Sequence, residues 1–444
     1  MILDVQVSGR TVAKLYRERD EYVLKYLPGT SGDDFVSVAL PVREEPWRWP
    51  RDLFPFFRQN LPEGYLLGVI REEFGPFLDG TDLSLLAVIG GMGIGRVTVT
   101  PEGALPGTEM EPLDIAHLLT TENTTEGFAA LVRRYARAAI SGVVPKFIAN
   151  DVQNVIPVGK PTLRTGLHII KGSDETTPYL GFNEFFTMRV LARLNVVPVA
   201  RCRMSDDGRI LLIDRFDVDS NGQPHYGLED ACGLLGLPPH EKYATTTERV
   251  WNATRAYIPG ERLREQREHF GWHLLTNYVT RNADCHAKNI AIYYTSRGDV
   301  AFTPVYDLVT TQAYPRFASN PPGLSVGGRQ TWTPGRTLET FFNGRLGISP
   351  RRYAAMTEQL CESAVEVGKE VIEAGKNNPA WRDIAKHMVH AWDEGMQTLR
   401  STKAAPHLRG LQSAIAEADF SAPAGPENDR ERFGRSELLA PRKR

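Results

Sequence analysis

Short stretches of alternating apolar and polar residues open the chain. Their apolar members are Val5, Val7, Val12, Leu15, Tyr22, Leu24 and Tyr26, of which the last three keep a strict period of two. This period is typical of strands with one buried face, so the first part of the chain is expected to be a small β-rich unit. A helix is expected from Leu66 to Phe74, and a Gly/Pro-rich stretch at 101–112 marks the end of the unit.

The next part of the chain combines the strand period with the helix period. The predicted elements are helices at 113–139 and 178–194 and strands at 140–149 (with a tight turn inside), 166–171, 197–200 and 210–213. In the strand at 166–171, Leu167, Ile169 and Lys171 fall on one face because alternate side chains share a face. This part is therefore expected to be a mixed α/β unit.

Helical spacing dominates the remainder. Helices are expected over most of 227–263, at 264–280 and at 353–400 with a break near Pro379, and a strand hairpin at 290–294 and 300–302. Residues from 421 onward are rich in Pro, Gly and mixed charge, which predicts a disordered tail. The expected units are residues 1–105, 113–225, 226–420 and 421–444.

Composition narrows the class of protein. The 444 residues include 52 Lys and Arg against 54 Asp and Glu, so no overall charge bias points to nucleic acid. The four cysteines are scattered without a C-x-x-C pair, which favours a reduced cytoplasmic setting. We expect no signal peptide and no membrane span, because the chain lacks a basic leader and any run of 18 apolar residues.

Three polar residues are candidates for phosphoryl transfer. Asp284 is followed five residues later by Asn289, and Asp307 comes after the predicted hairpin. Asp284 would accept or orient the proton of an attacking hydroxyl, while Asn289 and Asp307 would offer oxygen ligands to Mg²⁺, which bridges the phosphates of ATP. The spacing alone occurs by chance in many chains, so its weight depends on the surrounding residues.

Lys171 and Glu184 are the first of these surrounding residues. Lys171 ends a strand at the edge of an apolar face, where its amine can meet a phosphate, and Glu184 begins the next helix on its buried side. The pair suggests an ion pair that holds the lysine in place. Two simpler interpretations remain open, namely a lysine in water at a strand end and a glutamate favoured by the helix dipole.

Several other motifs are better explained without chemistry. Gly90–Arg96 lacks the third glycine of a dinucleotide loop and precedes a strand, which favours a tight turn. His269 and His273 have zincin spacing without the glutamate between them, so two partly buried helix histidines are expected. Ser141 lacks a nucleophile elbow, and nothing indicates a depressed pKa for Cys285.

Taken in order, the motifs resemble those of the HipA-type serine/threonine kinases, the toxin half of bacterial toxin–antitoxin pairs. The matching pieces are Leu61-Pro62-Glu63-Gly64, Ile140–Lys146, His168–Lys171, Asn183-Glu184, Asp214-Arg215-Phe216, Asp284–Asn289 and Thr303–Leu308. The resemblance covers nearly the whole chain. It implies an α+β, two-lobed protein-kinase-like fold, with a mixed α/β N-lobe, a largely helical C-lobe and a small β-rich N-terminal subdomain.

The resemblance also implies a role for individual residues. Asp284 would be the catalytic base, Asn289 and Asp307 would bind Mg²⁺, and Ser141 would be the autophosphorylation site whose modification expels the phosphate loop. The implied ATP-binding residues are Val143, Val144, Lys146, Phe147, Ile148, Lys171, Glu184, Asp214, Phe216, His286 and Lys288. Two departures stand out: Val144 replaces a polar residue of many relatives, and Tyr306-Asp307-Leu308 replaces the D-F-G of ordinary protein kinases.

The family further implies partners and a biological role. A small helix-turn-helix antitoxin of the HipB type would hold the kinase on operator DNA. The γ-phosphate of ATP would pass to a serine of a cellular protein, with an aminoacyl-tRNA synthetase as one candidate, and to Ser141, causing growth arrest or persistence. Two alternatives remain open, a small-molecule kinase of the aminoglycoside or sugar type and a catalytically weak co-repressor acting with an antitoxin.

Overall fold

The computed structural model describes residues 1–75, 78–104, 113–141, 162–399, 410–418 and 420. Its N-terminal part contains β1 (Ile2–Val7), β2 (Arg10–Glu18), β3 (Glu21–Tyr26), β4 (Trp47–Pro50), α1 (Pro55–Arg58), α2 (Gly64–Phe74), α3 (Asp82–Ile89) and β5 (Val97–Pro101). The five strands form one antiparallel sheet in the order β4-β3-β2-β1-β5. Leu3, Val5 and Val7 alternate into a core that α3 covers, as the period of two predicts.

The Gly90–Arg96 segment is a turn between α3 and β5, as expected from the sequence. Gly90 begins a single turn of 3₁₀ helix, and β5 starts at Val97. A side chain at Gly90 would clash with the backbone oxygen of Val99, so the glycine allows this turn to pack flat against β5.

The middle part contains a second sheet with helices on both faces. Its elements are α4 (Ile115–Thr120), α5 (Thr125–Ser141), β6 (Thr162–Arg164), β7 (His168–Gly172), α6 (Leu180–Ala192), β8 (Cys202–Met204) and β9 (Ile210–Asp214). The antiparallel order is β6-β7-β9-β8. Ile170 and Leu212 pack on one side of the sheet with Phe128 and Val132 of α5. Leu211 lies on the opposite side of the sheet, which faces α6.

Three expectations for this part are wrong. The helix expected at 113–139 is interrupted at 121–124, where the backbone N–H of Asn123 donates to Asp207 at 2.5 Å and its amide donates to the carbonyl of Leu118 at 3.1 Å. Ile140 and Ser141 continue α5 instead of starting a strand; the rest of 140–149 lies outside the described residues. The strand expected at 197–200 is displaced to β8, and Val199 makes only an isolated bridge with Val305.

The C-terminal part is largely helical. Its elements are β10 (Gly227–Asp230), α7 (Ala231–Leu234), α8 (Thr247–Arg255), α9 (Leu263–Val279), β11 (Ala291–Tyr294), β12 (Ala301–Phe302), α10 (Arg336–Phe341), α11 (Pro350–Asn377), α12 (Arg382–Leu399) and α13 (Gly410–Glu417). The expected hairpin and the break between α11 and α12 are present. β10 corrects the expectation of helix at 227–230, because this segment pairs along β11.

These observations confirm the α+β class. The largest core joins α6, α9, α11 and α12 and surrounds the loop that follows α9. The tail expected to be disordered, 421–444, lies outside the described residues. Within the described ranges, no helix is both long enough and apolar enough to cross a membrane.

Candidate active site

The loop after α9 carries Asp284 and Asn289 and is anchored to helix α12. Arg281, which adopts a left-handed backbone conformation with φ of 56°, donates to the carbonyl of Glu394 at 3.1 Å and to the hydroxyl of Thr398 at 3.2 Å. Both acceptors lie on α12. Helix α9 therefore brings the chain to the loop, and α12 fixes the point at which the loop turns.

Asn282 links this loop to the segment that carries Asp307. Its Oδ1 accepts from the backbone N–H of Asp284 at 3.0 Å. Its Nδ2 donates to Asn277 Oδ1 at 2.8 Å and, more weakly, to the backbone carbonyl of Asp307 at 3.4 Å. One buried amide therefore sets the relative positions of the two candidate carboxylates.

The side chain of Asn289 contacts the backbone of Asp284 across the loop. The Asn289 amide donates to the backbone carbonyl of Asp284 at 3.1 Å, which leaves its Oδ1 as the atom able to ligate a cation. The Asp284 carboxylate accepts a hydrogen bond from the hydroxyl of Tyr243. Tyr243 lies between a short turn, Pro239–Glu241, and helix α8.

Lys171 joins the second sheet to the Asp307 segment. It lies opposite Leu211 on the sheet face that packs against α6, and its Nζ is 2.7 Å from Glu184 Oε2. The same amine forms an ion pair with Asp307. Burial acts to lower the pKa of Lys171, but the charges of Asp307 and Glu184 outweigh it and raise that pKa above its usual value. The amine is therefore charged at every physiological pH.

Asn183, next to Glu184 on α6, fixes the backbone beyond Asp307. Its amide donates to the carbonyl of Thr310 at 3.0 Å, and its Oδ1 accepts from the N–H of the same residue at 2.8 Å. Asp307 itself has φ of 59°, in the left-handed region that non-glycine residues rarely adopt. Two neighbouring residues of one helix thus position Lys171 and the segment that follows Asp307.

Lys288 and His286 occupy different surroundings. The Lys288 amine forms an ion pair with Glu63 of the N-terminal part, which also lies 3.4 Å from Lys242. Burial favours a higher pKa for Glu63, yet the charges of Lys288 and Lys242 hold it below its usual value. Burial, followed by the charge of Lys242, holds the pKa of His286 well below its usual value, so this imidazole is neutral.

Asp214 and Phe216, two of the implied ATP-binding residues, differ in their contacts. Asp214 ends β9, is half exposed and lies 3.7 Å from His168 Nε2. Phe216 packs its ring against Tyr306, with ring centroids 5.8 Å apart, directly beside Asp307. Ser141 is the last residue of α5, and Val143, Val144, Lys146, Phe147 and Ile148 lie outside the described residues.

The residues expected to be structural are buried. Burial lowers the pKa of His269 to about 3 and that of His273 to about 4, so both imidazoles are neutral inside α9. Burial also raises the pKa of Cys285 to about 12, which opposes a thiolate role.

Sequence reasoning did not identify Tyr243, Asn282 or Glu63 as parts of the site. Glu63 lies in the Leu61-Pro62-Glu63-Gly64 motif of the resemblance, and Asn282 lies two residues before Asp284, so both positions are close to residues that the sequence singles out. Tyr243 lies 41 residues before Asp284 in a stretch without a recognisable pattern, and only folding brings the two together.

Comparison with known proteins agrees with this geometry. Residues 3–100 match the model of the HipA N-terminal domain, and residues 138–367 match that of the HipA-like C-terminal domain. A Sinorhizobium fredii protein whose name proposes a kinase is 30% identical over 71% of this chain and 78% of its own length. The serine/threonine-protein kinase toxin HipA of Shewanella oneidensis is 29% identical over 59% of this chain and 64% of its own length.

A solved structure extends the comparison to the fold. The HipA chain of Shewanella oneidensis, from a complex with HipB and operator DNA, aligns with a TM-score of 0.58 and 19% identity. The alignment covers 94% of this chain and 98% of that one, which supports the kinase-like fold over the whole described length. The chain belongs to the HipA family of kinases.

Proposed function

We propose that this protein is a toxin-type protein serine/threonine kinase that uses ATP and Mg²⁺. The observation that carries the proposal is the position of Lys171, whose amine bridges Glu184 and Asp307 while Asn282 ties the Asp307 segment to the Asp284 loop. A lysine, a catalytic carboxylate and two oxygen ligands for a cation are the groups that phosphoryl transfer requires.

The residues fit the cofactors that the family implies. Asp307 and Asn289 would ligate Mg²⁺ through a carboxylate and an amide oxygen, which are hard ligands suited to this ion. In that site the ion would supply positive charge that offsets the charge of the phosphates. Lys171, fixed by Glu184, would contact the α- and β-phosphates of ATP, and its permanent charge suits that contact.

The remaining roles follow from the family and concern proton acceptance, nucleotide binding and autophosphorylation. Asp284 would accept or orient the proton of the serine hydroxyl. Asp214 and Phe216 would lie at the hinge beside the adenine, and Val143, Val144, Lys146, Phe147 and Ile148 would line the nucleotide. His286 would contact the nucleotide or the transferring phosphate, and Lys288 would belong to the same ATP-binding set. Ser141 would receive the phosphate in autophosphorylation.

Partners are proposed on the same basis. The neighbouring structure contains HipA with HipB and operator DNA, which supports a HipB-like helix-turn-helix antitoxin here and contact with DNA through it. The substrate would be a serine of a cytoplasmic protein, with an aminoacyl-tRNA synthetase as one candidate, and its modification would arrest growth.

The assignment is tested by Asp284→Asn and Asp307→Asn, which keep shape but remove a charge. Each should lower phosphate incorporation from γ-labelled ATP on the order of 10³-fold, because both act mainly in the transition state. Asp20→Asn changes an exposed turn residue and should retain full activity. Incorporation at the wild-type level by either variant would refute the assignment.

A lysate separates the protein kinase from a small-molecule kinase. Labelled ATP is added with the purified protein to a bacterial lysate, and the products are divided into protein and metabolite fractions. We expect label in one protein band and in the kinase itself, and loss of the self-label in Ser141→Ala. Label confined to metabolites would favour the small-molecule alternative.

A further inference from the structure

The hydroxyl of Tyr243 makes the contact that a substrate hydroxyl would make. It donates to Oδ1 of Asp284. In the proposed function, the carboxylate of Asp284 accepts the proton of the substrate serine. An ionised carboxylate has about four lone-pair positions, and the phenol fills one of them on Oδ1, so a second hydroxyl that needs this position must displace the phenol. The Asp284–Tyr243 pair therefore concerns access to the acceptor position, a matter that the roles assigned so far leave open.

The segment that carries Tyr243 is fixed to the loop after α9, residues 281–289, which is the proposed catalytic loop. The backbone N–H of Ala287 donates to the carbonyl of Lys242 at 3.1 Å. The ring of Tyr243 meets the ring of His286 edge to face, with centroids 5.0 Å apart. These contacts hold the phenol in register with Asp284.

A second anchor comes from the N-terminal part of the chain. Lys242 lies 3.4 Å from Glu63, and Glu63 also forms an ion pair with Lys288 of the catalytic loop. The family motif Leu61-Pro62-Glu63-Gly64 thereby acquires a physical role, since its carboxylate holds both the segment of Tyr243 and the loop that the segment covers.

The phenol can occupy and leave this position without carrying a charge. Burial, followed by the charge of Asp284, raises the pKa of Tyr243 far above its usual value, so the hydroxyl remains a donor at every physiological pH. Tyr243 is only partly buried and lies in a turn outside helix and strand, so rotation of its side chain requires no change in a helix or strand.

We propose that Tyr243 guards the acceptor position: its hydroxyl holds Asp284, and a substrate serine binds productively only by displacing it. The exchange replaces one hydroxyl hydrogen bond by another, so it adds a moderate barrier to binding that a well-matched substrate overcomes. This inference rests on the proposed kinase function and deepens it by naming a residue that controls acceptor specificity.

The test is Tyr243→Phe, which removes the hydroxyl and keeps the ring against His286. Both enzymes carry Ser141→Ala, and the acceptor is a synthetic peptide that spans residues 133–148, with ATP saturating. Loss of the competing hydroxyl should lower the KM for the peptide roughly five- to tenfold and change kcat less than about twofold. A kcat/KM equal to or below that of the parent would overturn the proposal, because a hydroxyl that positions Asp284 during transfer would be missed in kcat.

Controls separate this proposal from the kinase assignment. Tyr257→Phe removes the hydroxyl of another partly buried tyrosine and should leave both constants unchanged. If Tyr243→Phe fails to fold, Glu63→Gln serves as the second variant. It weakens the anchor of Lys242 without touching Asp284, and it should also lower the KM for the peptide. The kinase function fails if the Ser141→Ala parent labels no peptide and the wild-type protein labels neither itself nor lysate proteins. If the parent is active and Tyr243→Phe has the same kinetic constants, only the proposed role of Tyr243 is refuted.

Discussion

Lys171 divides its charge between two carboxylates with unequal access to solvent. The side chain of Glu184 is 0% exposed, whereas that of Asp307 is 30% exposed. A buried carboxylate next to a buried amine compensates its charge permanently, while the more exposed one can exchange its partner. The asymmetry fits the proposed roles, in which Glu184 would hold the lysine and Asp307 would bind a cation.

Glu184→Gln tests this division of roles. The substitution keeps the volume and removes one of the two charges that compensate Lys171, so the amine should turn further toward Asp307 and contact phosphates less well. We expect the KM for ATP to rise roughly tenfold, with a lower melting temperature. Steady-state kinetics and thermal unfolding measure both, and the exposed Glu175→Gln is the control. A wild-type KM in Glu184→Gln would contradict the role.

Two properties decided which parts of the site the sequence could predict, namely the residue type and the separation of two partners along the chain. Lys171 and Glu184 lie 13 residues apart on consecutive elements, so strand and helix periodicity was enough to suggest their ion pair. Tyr243 and Asn282 have side chains with many uses in proteins, and their partners are set by the fold. Their contribution became visible only through hydrogen-bond partners.

At the scale of elements, the contact between α9 and α12 fixes the position of the loop that follows α9. Gly395 on α12 packs directly on the backbone of Val279, the last residue of α9. A Cβ atom at position 395 would clash with the carbonyl oxygen of Val279. The helices can approach this closely only because position 395 has no side chain.

Gly395→Ala should therefore displace α12 from the end of α9 and, with it, the loop that follows α9. We expect a loss of about 1–3 kcal/mol in the free energy of unfolding, since backbone atoms must move to relieve the clash. The phosphoryl-transfer rate should also fall, because the Arg281 anchor on α12 shifts with the helix. Chemical denaturation and kinetics measure the two effects. Gly344→Ala, where an added methyl meets nothing within 4 Å, should be far milder, and equal effects would refute the argument.

Elements were predictable where their own residues carry the period. α9 has apolar residues at helical spacing from Phe270 to Tyr278, and its bounds match the expectation within a residue. β10 is only four residues long, and three of them are buried, so it shows no alternation. Its strand conformation comes from pairing with β11, a partner more than 60 residues away that local sequence cannot supply.

At the scale of the molecule, polar residues join the N-terminal sheet to the catalytic part. The guanidinium of Arg96 donates to the carbonyl of Thr295 at 2.7 Å and lies 4.6 Å from the centre of the Phe35 ring. The N–H of Gly95 donates to Asp217 Oδ2 at 2.7 Å. The N-terminal part is thus tied to the segment just after Phe216 and to the β11–β12 hairpin.

Glu229 is a further tie and the one most sensitive to pH. Its carboxylate accepts from the hydroxyl of Ser37 and the N–H of Val38, both at 2.8 Å, and from the hydroxyl of Tyr294 at 2.7 Å. Burial nevertheless raises the pKa of Glu229 from 4.5 to about 6. The folded state thus holds this proton more tightly than the unfolded chain, and the protein should lose about 2 kcal/mol of stability from this group as the pH rises from below 4.5 to above 6.

Glu229→Gln should remove that dependence while keeping the tie. The amide oxygen can still accept from Val38 and Tyr294, and the hydroxyl of Ser37 can rotate to accept from the new amide N–H. Relative to wild type, the variant should gain about 2 kcal/mol between pH 4.5 and pH 7, measured by urea unfolding at a series of pH values. Asp230, whose pKa burial also raises to about 6, titrates in both proteins, so its contribution cancels to first order in the difference. The exposed Glu122→Gln should show a flat difference, and a flat difference for Glu229→Gln would mean that the three donors fully compensate the buried charge.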